Sequence, residues 1–318
     1  MQFVLATALT CVLLLVIVVY GRGDLSTRPS VVAGVALMAL PLAGATSLVF
    51  GPPLALWVAL AGARCFRGTA AAVADRRSGA ILLGSAMVAI LLMGVYFVGW
   101  QRPPWNPPSS GIHATLSYAA KFVAFGFGPG AGLSWRAAEI AACLVLVSTG
   151  AILIAAFARS NPAERFRILA LLLFAAGTVV LALAIGSGRA AKGGMSTRYA
   201  LLGVPTFCLA YFAWEIYGTP ALRKVARAGF LLIAILLLPF NTRVGMERRN
   251  WFGRGFEAME HDLRANVPPA VLAARHHAFL QQNEAVLAMK IRMLHQARFG
   301  PFATLRDDAS GSAAQTLW

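Results

Sequence analysis

The sequence has few acidic residues and little charge of either sign. Only 12 of its 318 residues are Asp or Glu, and charged residues make up 13% of the chain, about half of the share that soluble domains carry. Hydrophobic residues make up 58% of the chain, and many of them form runs of roughly 20 residues, which is long enough to cross a bilayer core as a helix. The composition therefore excludes an ordinary soluble protein and predicts an integral membrane protein.

Cysteine and histidine are also scarce, and neither is spaced as a metal site would be. The 4 cysteines are far apart in the sequence and form no CxxC or Cys/His pattern, so we expect small buried hydrophobic residues. Four of the 5 histidines follow residue 240, and the adjacent pair His276 and His277 would point in different directions on a helix. We interpret these histidines as surface residues, and the residues themselves predict no metal site.

The cations are numerous and unevenly distributed. The formal net charge is +16, but no basic stripe is interleaved with aromatic residues, which excludes nucleic acid as a partner. The loops 21–30, 64–78, 159–167 and 218–227 hold 12 Lys and Arg, against 5 in the opposite loops. The positive-inside rule places the first set in the cytoplasm. We therefore expect membrane lipids as partners, an outward loop 101–135, an outward tail and an outward Met1, which suggests further helices before this chain.

The hydrophobic pattern predicts an all-α fold, a polytopic transmembrane helical bundle of 7–8 helices over residues 1–240. Gly51, Pro52 and Pro53 interrupt one long apolar run, and we interpret the interruption as the turn of a tight hairpin. The predicted helices are Phe3–Tyr20, Val31–Phe50, Leu54–Phe66, Gly79–Trp100, Arg136–Ala158, Arg167–Ile185, Tyr199–Tyr217 and Val225–Phe240.

Two further segments are expected to be helical outside the bilayer core. In the loop 101–135, residues Ile112, Leu116, Ala119 and Val123 share one helical face, which predicts an amphipathic helix lying on the outer surface. The tail 241–318 is more polar and predicts a small helical appendage that docks on the membrane domain. Its signals are Pro268-Pro269 and Asn283 as helix starts, with Leu287, Ile291 and Leu294 facing inward.

The stretch GSGRAAKGGMSTRYALLG, from Gly186 to Gly203, carries Arg189, Lys192 and Arg198 without an acid. Glycines let backbone N–H groups turn toward a ligand, arginines can bind phosphate in a bidentate fashion, and a lysine adds a point charge. Tyr199 could stack or form a hydrogen bond. These four side chains predict a site for a pyrophosphate or a lipid phosphate. The alternative is a solvated turn whose arginines reach toward lipid head groups.

The same stretch resembles a known family. Gly188-Arg189, a short spacer and Ser196-Thr197-Arg198-Tyr199, with one extra Thr, are followed by the polar tail WFGRGFEAMEHDLRANVPPAVLAARH. The arrangement resembles GT-C-type membrane glycosyltransferases of bacteria over roughly residues 79–305. The resemblance implies sugar transfer from a polyprenyl-phosphate donor on the outer side of the inner membrane, an acidic residue as base, and a divalent metal as cofactor.

The acid that the resemblance implies has no clear counterpart. Before the tail there are five acids, Asp24, Asp75, Glu139, Glu164 and Glu215, and only Glu139 falls near the outward face. The catalytic residue therefore stays unassigned, and this chain would be the C-terminal part of such an enzyme. Two alternatives stay open. One is a non-catalytic membrane scaffold, and the other is a transporter or flippase of an anionic lipid, although no charged residues occupy the helix centres.

Overall fold

The computed structural model describes residues 2–22, 25–67, 73–101, 109–192, 196–281 and 283–307. These parts of the chain form helices and no strand, which confirms the predicted all-α fold. The α-helices are α1 Gln2–Tyr20, α2 Thr27–Ala39, α3 Ala45–Arg67, α4 Val73–Phe97, α5 Ile112–Ala124, α6 Trp135–Arg159, α7 Pro162–Arg189, α8 Ala200–Tyr217, α9 Pro220–Arg264, α10 Pro269–Leu280 and α11 Glu284–Gln296.

The chain divides into two compact units, Met1–Asn241 and Thr242–Trp318. Within the described residues, 6 helices are long and apolar enough to cross a membrane, namely α1, α3, α4, α6, α7 and α8. The apolar segment Thr27–Ala43 is shorter. The first half of α9 matches the predicted segment Val225–Phe240 but is continuous with a charged second half. The first unit is therefore the membrane unit.

The predicted hairpin turn at Gly51, Pro52 and Pro53 is wrong, because α3 continues through all three residues. The chain reverses earlier, where a 3-10 helix Pro41–Ala43 ends at Gly44 with φ +115°, a conformation that favours glycine. The two prolines cost α3 hydrogen bonds, but neighbouring helices pack closely there and such prolines are tolerated in membrane helices. Gly51 leaves no room for a Cβ, which would lie 2.2 Å from the sulfur of Met93.

Helix α5 belongs to the core of the membrane unit, so the prediction of a helix lying on the surface is wrong. Of the predicted apolar face, Ala119 and Val123 are buried, whereas Ile112 is 79% exposed. The phenyl ring of Phe122 is completely buried instead. A Cβ on Gly186 of α7 would lie 2.3 Å from the backbone oxygen of Thr115. The close approach shows that α5 packs tightly along α7, with only the second half of its predicted face buried.

Helix α7 runs the length of the membrane unit and joins its two ends. Its 28 residues correspond to about 40 Å of helix. At its start, Glu164 contacts the ends of α1 and α8, through Arg22 and Tyr217. Beyond its other terminus, the ring of Tyr199 packs edge-to-face against Phe3 at the start of α1, with centroids 5.7 Å apart. We call these regions the Glu164 end and the Tyr199 end.

The second unit is held by a small hydrophobic core of its own. The predicted helix starts are confirmed, because α10 begins at Pro269 and the Asn283 side chain accepts a hydrogen bond from the Val286 N–H at 3.1 Å. Leu287 and Ile291 are buried as predicted. The prediction of surface histidines is wrong for His276, which is 5% exposed.

Candidate functional site

The Tyr199 end brings together two of the four predicted phosphate-binding side chains. The guanidinium carbon of Arg189, in the last turn of α7, lies 5.8 Å from the centroid of the Tyr199 ring. This distance suits a cation–π contact. Tyr199 is only 6% exposed, and the edge-to-face contact with Phe3 fixes its ring. The half-buried Arg189 is therefore held at a defined place between two spanning helices.

A third aromatic side chain, missed by the sequence analysis, joins this cluster from α5. Burial raises the pKa of Tyr118, the phenol of Tyr199 raises it further, and the positive charge of Arg189 partly offsets the rise. The Arg189 guanidinium and the Tyr199 phenol therefore both interact electrostatically with the Tyr118 hydroxyl. Its sequence surroundings are those of an ordinary helix, so only the packing of α5 against α7 could reveal it.

The other two predicted residues are described only in their backbone. Lys192 ends the 3-10 helix Ala190–Lys192, and Arg198 lies in the 3-10 helix Thr197–Tyr199. Their side chains, and residues 193–195, lie outside the described part of the structure. Lys192 therefore lies three residues after Arg189 in the chain and Arg198 directly before Tyr199, while the four-residue site as predicted stays a prediction.

The Glu164 end carries an ion network that the sequence analysis did not predict. The Oε2 atom of Glu164 accepts from the Nε of Arg22 at 2.5 Å, and its Oε1 accepts from the Nε of Arg167 at 2.8 Å. The Tyr217 hydroxyl donates to the same Oε1 at 2.5 Å. Arg167 also donates to the backbone oxygen of Val18 at 3.2 Å. Helices α1, α7 and α8 are thereby joined through one carboxylate.

Local sequence positions Glu164 at the first turn of α7. The Asn161 side chain caps the helix by accepting from the Glu164 N–H at 2.9 Å, and Pro162 suits the first helical position. The acid also complements the helix dipole. The Glu164 and Arg167 side chains are only 11% and 10% exposed, so their charges must be paired to be tolerated. The carboxylate already accepts from three side chains, and this excludes it as a free base.

The other two described acids of the membrane unit, Glu215 and Glu139, lie at opposite ends of it. Glu215 of α8 accepts from the Nε of Arg227 at 2.9 Å and lies near the Glu164 end. Glu139 lies in the second turn of α6, at the Tyr199 end, because α6 and α7 are antiparallel neighbours joined by two residues. Asp24 and the side chain of Asp75 lie outside the described part. Among the described acids of this unit, Glu139 is therefore the carboxylate nearest to the predicted phosphate site along the bundle axis.

An apolar cleft opens between α8, α9 and the 3-10 helix Phe125–Phe127. It has a volume of about 480 Å³, within the range of ligand pockets. Asn241 is its most polar lining residue, and its amide donates to the Phe127 oxygen at 2.9 Å and accepts from the Gly130 N–H at 2.7 Å. The cleft is lined mainly by Phe127, Phe207, Tyr211, Phe212, Phe230 and Leu237.

The second unit holds a buried carboxylate of its own. Arg275 donates from Nη1 to both oxygens of Asp262 at 3.1 Å, and the Nε2 of His276 lies 3.0 Å from its Oδ2. Burial alone would raise the pKa of Asp262, but these hydrogen bonds and charges outweigh burial and hold the pKa below its usual range. The cluster ties α10 to the last turn of α9.

The divalent metal that the family resemblance implies finds no ligand set in the described residues. They contain no group of three or more His, Cys, Asp or Glu side chains placed to hold an ion. Carboxylates and imidazoles must converge in such numbers to replace the hydration shell of a divalent cation. No step below is therefore assigned to a metal.

The fold defines the class of the protein, which is a multi-pass α-helical membrane protein with six candidate spanning helices in its described part. Comparison with protein-family models, with curated proteins and with solved structures found no match.

Proposed function

We propose that the membrane unit binds the phosphate group of a lipid at the Tyr199 end. The observation that carries this proposal is the position of Arg189, held against the ring of Tyr199 without an ion pair to any described carboxylate. A guanidinium near the bilayer surface can bind a phosphate through two parallel hydrogen bonds. Lys192 and Arg198, which follow Arg189 in the chain, would add positive charge.

The contrast between the two ends supports the proposal. At the Glu164 end, Arg22 and Arg167 are paired with Glu164, and Arg227 is paired with Glu215. Those three arginines have internal acidic partners and need no ligand, whereas Arg64 at the same end lies over the Phe166 ring, 4.4 Å from its centroid, as Arg189 lies over Tyr199. Arg189 is paired with no described acid, so an external anion is the partner that would complete its hydrogen bonding.

We further propose that the bound lipid is a polyprenyl-phosphate sugar and that the protein takes part in GT-C-like glycosyl transfer in the bacterial inner membrane. In such a reaction a base removes a proton from the acceptor hydroxyl while the sugar leaves its phosphate. Glu139 is the described carboxylate on the proposed side of the membrane. Its position near the start of α6 suits an acid that faces the aqueous boundary.

Lipid binding without transfer is the second candidate. Two of the three described carboxylates in the membrane unit are paired with arginines, which leaves Glu139 as a lone acid. A scaffold that anchors the second unit beside bound lipid would need no base. The two candidates share the phosphate site and differ only in the need for Glu139.

The test uses the full chain in lipid nanodiscs and compares decaprenyl phosphate with decaprenol by native mass spectrometry. We expect the phosphate to bind at least about tenfold more tightly, and Arg189→Ala to remove this preference, because a charged hydrogen bond contributes about 1.5–3 kcal/mol. Arg159→Ala, an exposed arginine at the opposite end of α6, is the matched control. Equal binding of both lipids, or an unchanged Arg189→Ala variant, would overturn the proposal.

Transfer is tested separately in the same nanodiscs. Glu139→Gln should abolish sugar transfer from the lipid donor and leave binding of decaprenyl phosphate unchanged. Glu215→Gln is the control acid. Transfer that persists in Glu139→Gln would reject Glu139 as the base, and binding without any transfer in the native chain would favour the scaffold.

A further inference from the structure

We propose that the cleft between α8 and α9 is a binding site for one hydrocarbon chain of a membrane lipid. Nothing in the phosphate-site argument requires this cleft, because Arg189 and Tyr199 do not line it. Its walls come from the 3-10 helix Phe125–Phe127, from residues 204–212 of α8 and from residues 230–241 of α9.

The cleft exists because α9 is attached to the rest of the unit at two separated points. At one point Arg227 pairs with Glu215, and the Phe230 ring packs against Trp214 with centroids 5.9 Å apart. At the other point Asn241 bonds to Phe127 and Gly130. The two points are 11 residues apart from Phe230 to Asn241, or about 16 Å of helix.

Between these points α9 lines the cleft with Ile233, Ala234, Leu237 and Leu238. Ala234 lies in the middle of this lining and contributes a single methyl group, which leaves a groove beside α8. The groove opens outward, because Ala234 and Leu238 are exposed. A lipid chain can therefore enter it from the bilayer without displacing protein side chains.

The residues that line the cleft determine which class of ligand it can bind. Its surfaces are almost entirely aliphatic and aromatic, and the one amide, Asn241, already makes its hydrogen bonds inside the protein. A polar ligand would lose its hydration there without compensation. A long, narrow alkyl or isoprenyl chain carries no polar group along its length, so it would pack against these walls at no desolvation cost.

The cleft lies at a depth in the membrane unit where lipid chains are present. Helix α8 is one of the candidate spanning helices, so its middle lies at the depth of the lipid tails. Val204 and Phe212 bound the α8 lining and lie five and 13 residues after Tyr199, or about 8 and 20 Å along the helix. If the proposed phosphate site is occupied, the chain of the same lipid would lie within reach.

The experiment uses photo-crosslinking of a diazirine-bearing palmitic acid to the full chain in detergent, with mapping by mass spectrometry. We expect labelling that saturates, that falls mainly in residues 204–212 and 230–238, and that unlabelled oleic acid displaces. Labelling that does not saturate and spreads equally to exposed lipid-facing positions of α6, such as Leu144 and Val147, would overturn the proposal. This comparison needs no variant and so does not depend on one folding.

A matched pair of variants sharpens the test. Ala234→Phe fills the cleft and should lower the saturable labelling at least about fivefold, whereas Leu232→Phe, on the exposed side of the same helix, should leave it unchanged. Unchanged labelling in a well-folded Ala234→Phe variant would count against the site. Competition by decaprenyl phosphate and by dioleoylphosphatidylcholine, compared at equal concentration, identifies an isoprenyl or an acyl source, and either result supports the site.

The two proposals fail independently. Arg189→Ala should leave palmitic acid labelling of the cleft unchanged, even if it abolishes the preference for decaprenyl phosphate over decaprenol. Loss of cleft labelling in that variant would show that the two regions form one site.

Discussion

At the scale of single residues, the charges at the two ends of the membrane unit have different partners. Glu164 accepts hydrogen bonds from Arg22, Arg167 and Tyr217, and its single negative charge is paired with the buried Arg167 and the exposed Arg22. Arg189 contacts an aromatic ring instead. A buried ion pair adds little net stability, but removing one partner leaves the other as an unpaired buried charge, which is strongly destabilising. The Glu164 network therefore makes a sharp prediction about stability.

Glu164→Gln should destabilise the protein strongly. The substitution leaves Arg167, whose side chain is 10% exposed, without a compensating charge, and such losses cost about 3–5 kcal/mol. Glu215→Gln breaks a more exposed ion pair and should lower the stability far less, because solvent screens the interaction. Thermal unfolding of the purified chain in detergent measures both variants. Equal melting temperatures for the two variants would mean that the Glu164 network does not hold the helices together.

The sequence could predict only part of these residue contacts. Arg189 and Tyr199 are only ten residues apart in the sequence, so the sequence could place them in one region. Glu164 and Tyr217 are 53 residues apart, and Arg22 is 142 residues from Glu164. Contacts between residues so far apart in the sequence depend on how the helices pack, and no local sequence pattern predicts that packing. The spacing of Glu164 and Arg167 at i and i+3 was the one available sign of the network.

At the scale of the helices, the apolar runs predicted most of the elements and several of their boundaries. The predicted starts and ends of α1, α6 and α8 agree within one residue with the structure. The Pro52-Pro53 pair misled the prediction, because tertiary packing keeps α3 continuous and the turn needs only Gly44. For α5, hydrophobicity alone identified the buried face only in part, since Ala119 and Val123 are buried but Ile112 and Leu116 are exposed. Glycine at close helix contacts was the more informative signal.

Gly186→Ala should test the packing of α5 against α7. A methyl group there would meet the backbone oxygen of Thr115 at 2.3 Å, and the backbone cannot move aside as a flexible side chain could. We expect a loss of about 1–3 kcal/mol from overpacking. Gly150→Ala in α6 is the control, because nothing lies within 4 Å of its added methyl group, and it should be neutral or stabilising. Thermal unfolding distinguishes them, and a stable Gly186→Ala variant would contradict the close packing.

Helix α10 is attached to α9 through Asp262, and this attachment should depend on pH. The groups facing the carboxylate are Arg275, His276 and, at 3.7 Å, His261. Because the pKa of Asp262 is lower in the folded chain than its usual 3.8, its contribution is fully present above that value and is lost as pH falls through the lowered pKa. Asp262→Asn should therefore loosen α10 at neutral pH but make little difference in strong acid.

Fluorine NMR of the fluorotryptophan-labelled full chain can follow this attachment. The Trp251 ring of α9 packs against Phe279 of α10, with centroids 6.2 Å apart, so its signal reports whether α10 is in place. The Trp251→Phe variant assigns the signal. We expect the native signal to shift toward that of Asp262→Asn only as the pH falls below about 4. A shift that begins near neutral pH would assign the attachment to the histidines instead.

At the scale of the whole molecule, the orientation prediction acquires a structural basis. Because neighbouring helices run in opposite directions, the connections that follow α1, α6 and α8 lie together at the Glu164 end. Arg22, Arg167 and Arg227 are at this end. The opposite end holds the Arg189 and Tyr199 pair. The loop charges that the positive-inside rule compares therefore belong to two real ends of one bundle. Whether those ends match cytoplasm and exterior is open to a direct labelling test.

Ser160→Cys and Ser109→Cys, each in a chain whose four native cysteines are replaced by alanine, provide that test. Ser160 lies in the connection between α6 and α7 at the Glu164 end, and Ser109 lies just before α5, which packs against the last turns of α7 at the Tyr199 end. A membrane-impermeant maleimide should label Ser109→Cys in intact spheroplasts and should label Ser160→Cys only after lysis. The opposite pattern would put Arg189 in the cytoplasm. Phosphate binding could survive that result, but transfer from an outward-facing donor could not, because Arg189 and Glu139 would then face the wrong side of the membrane.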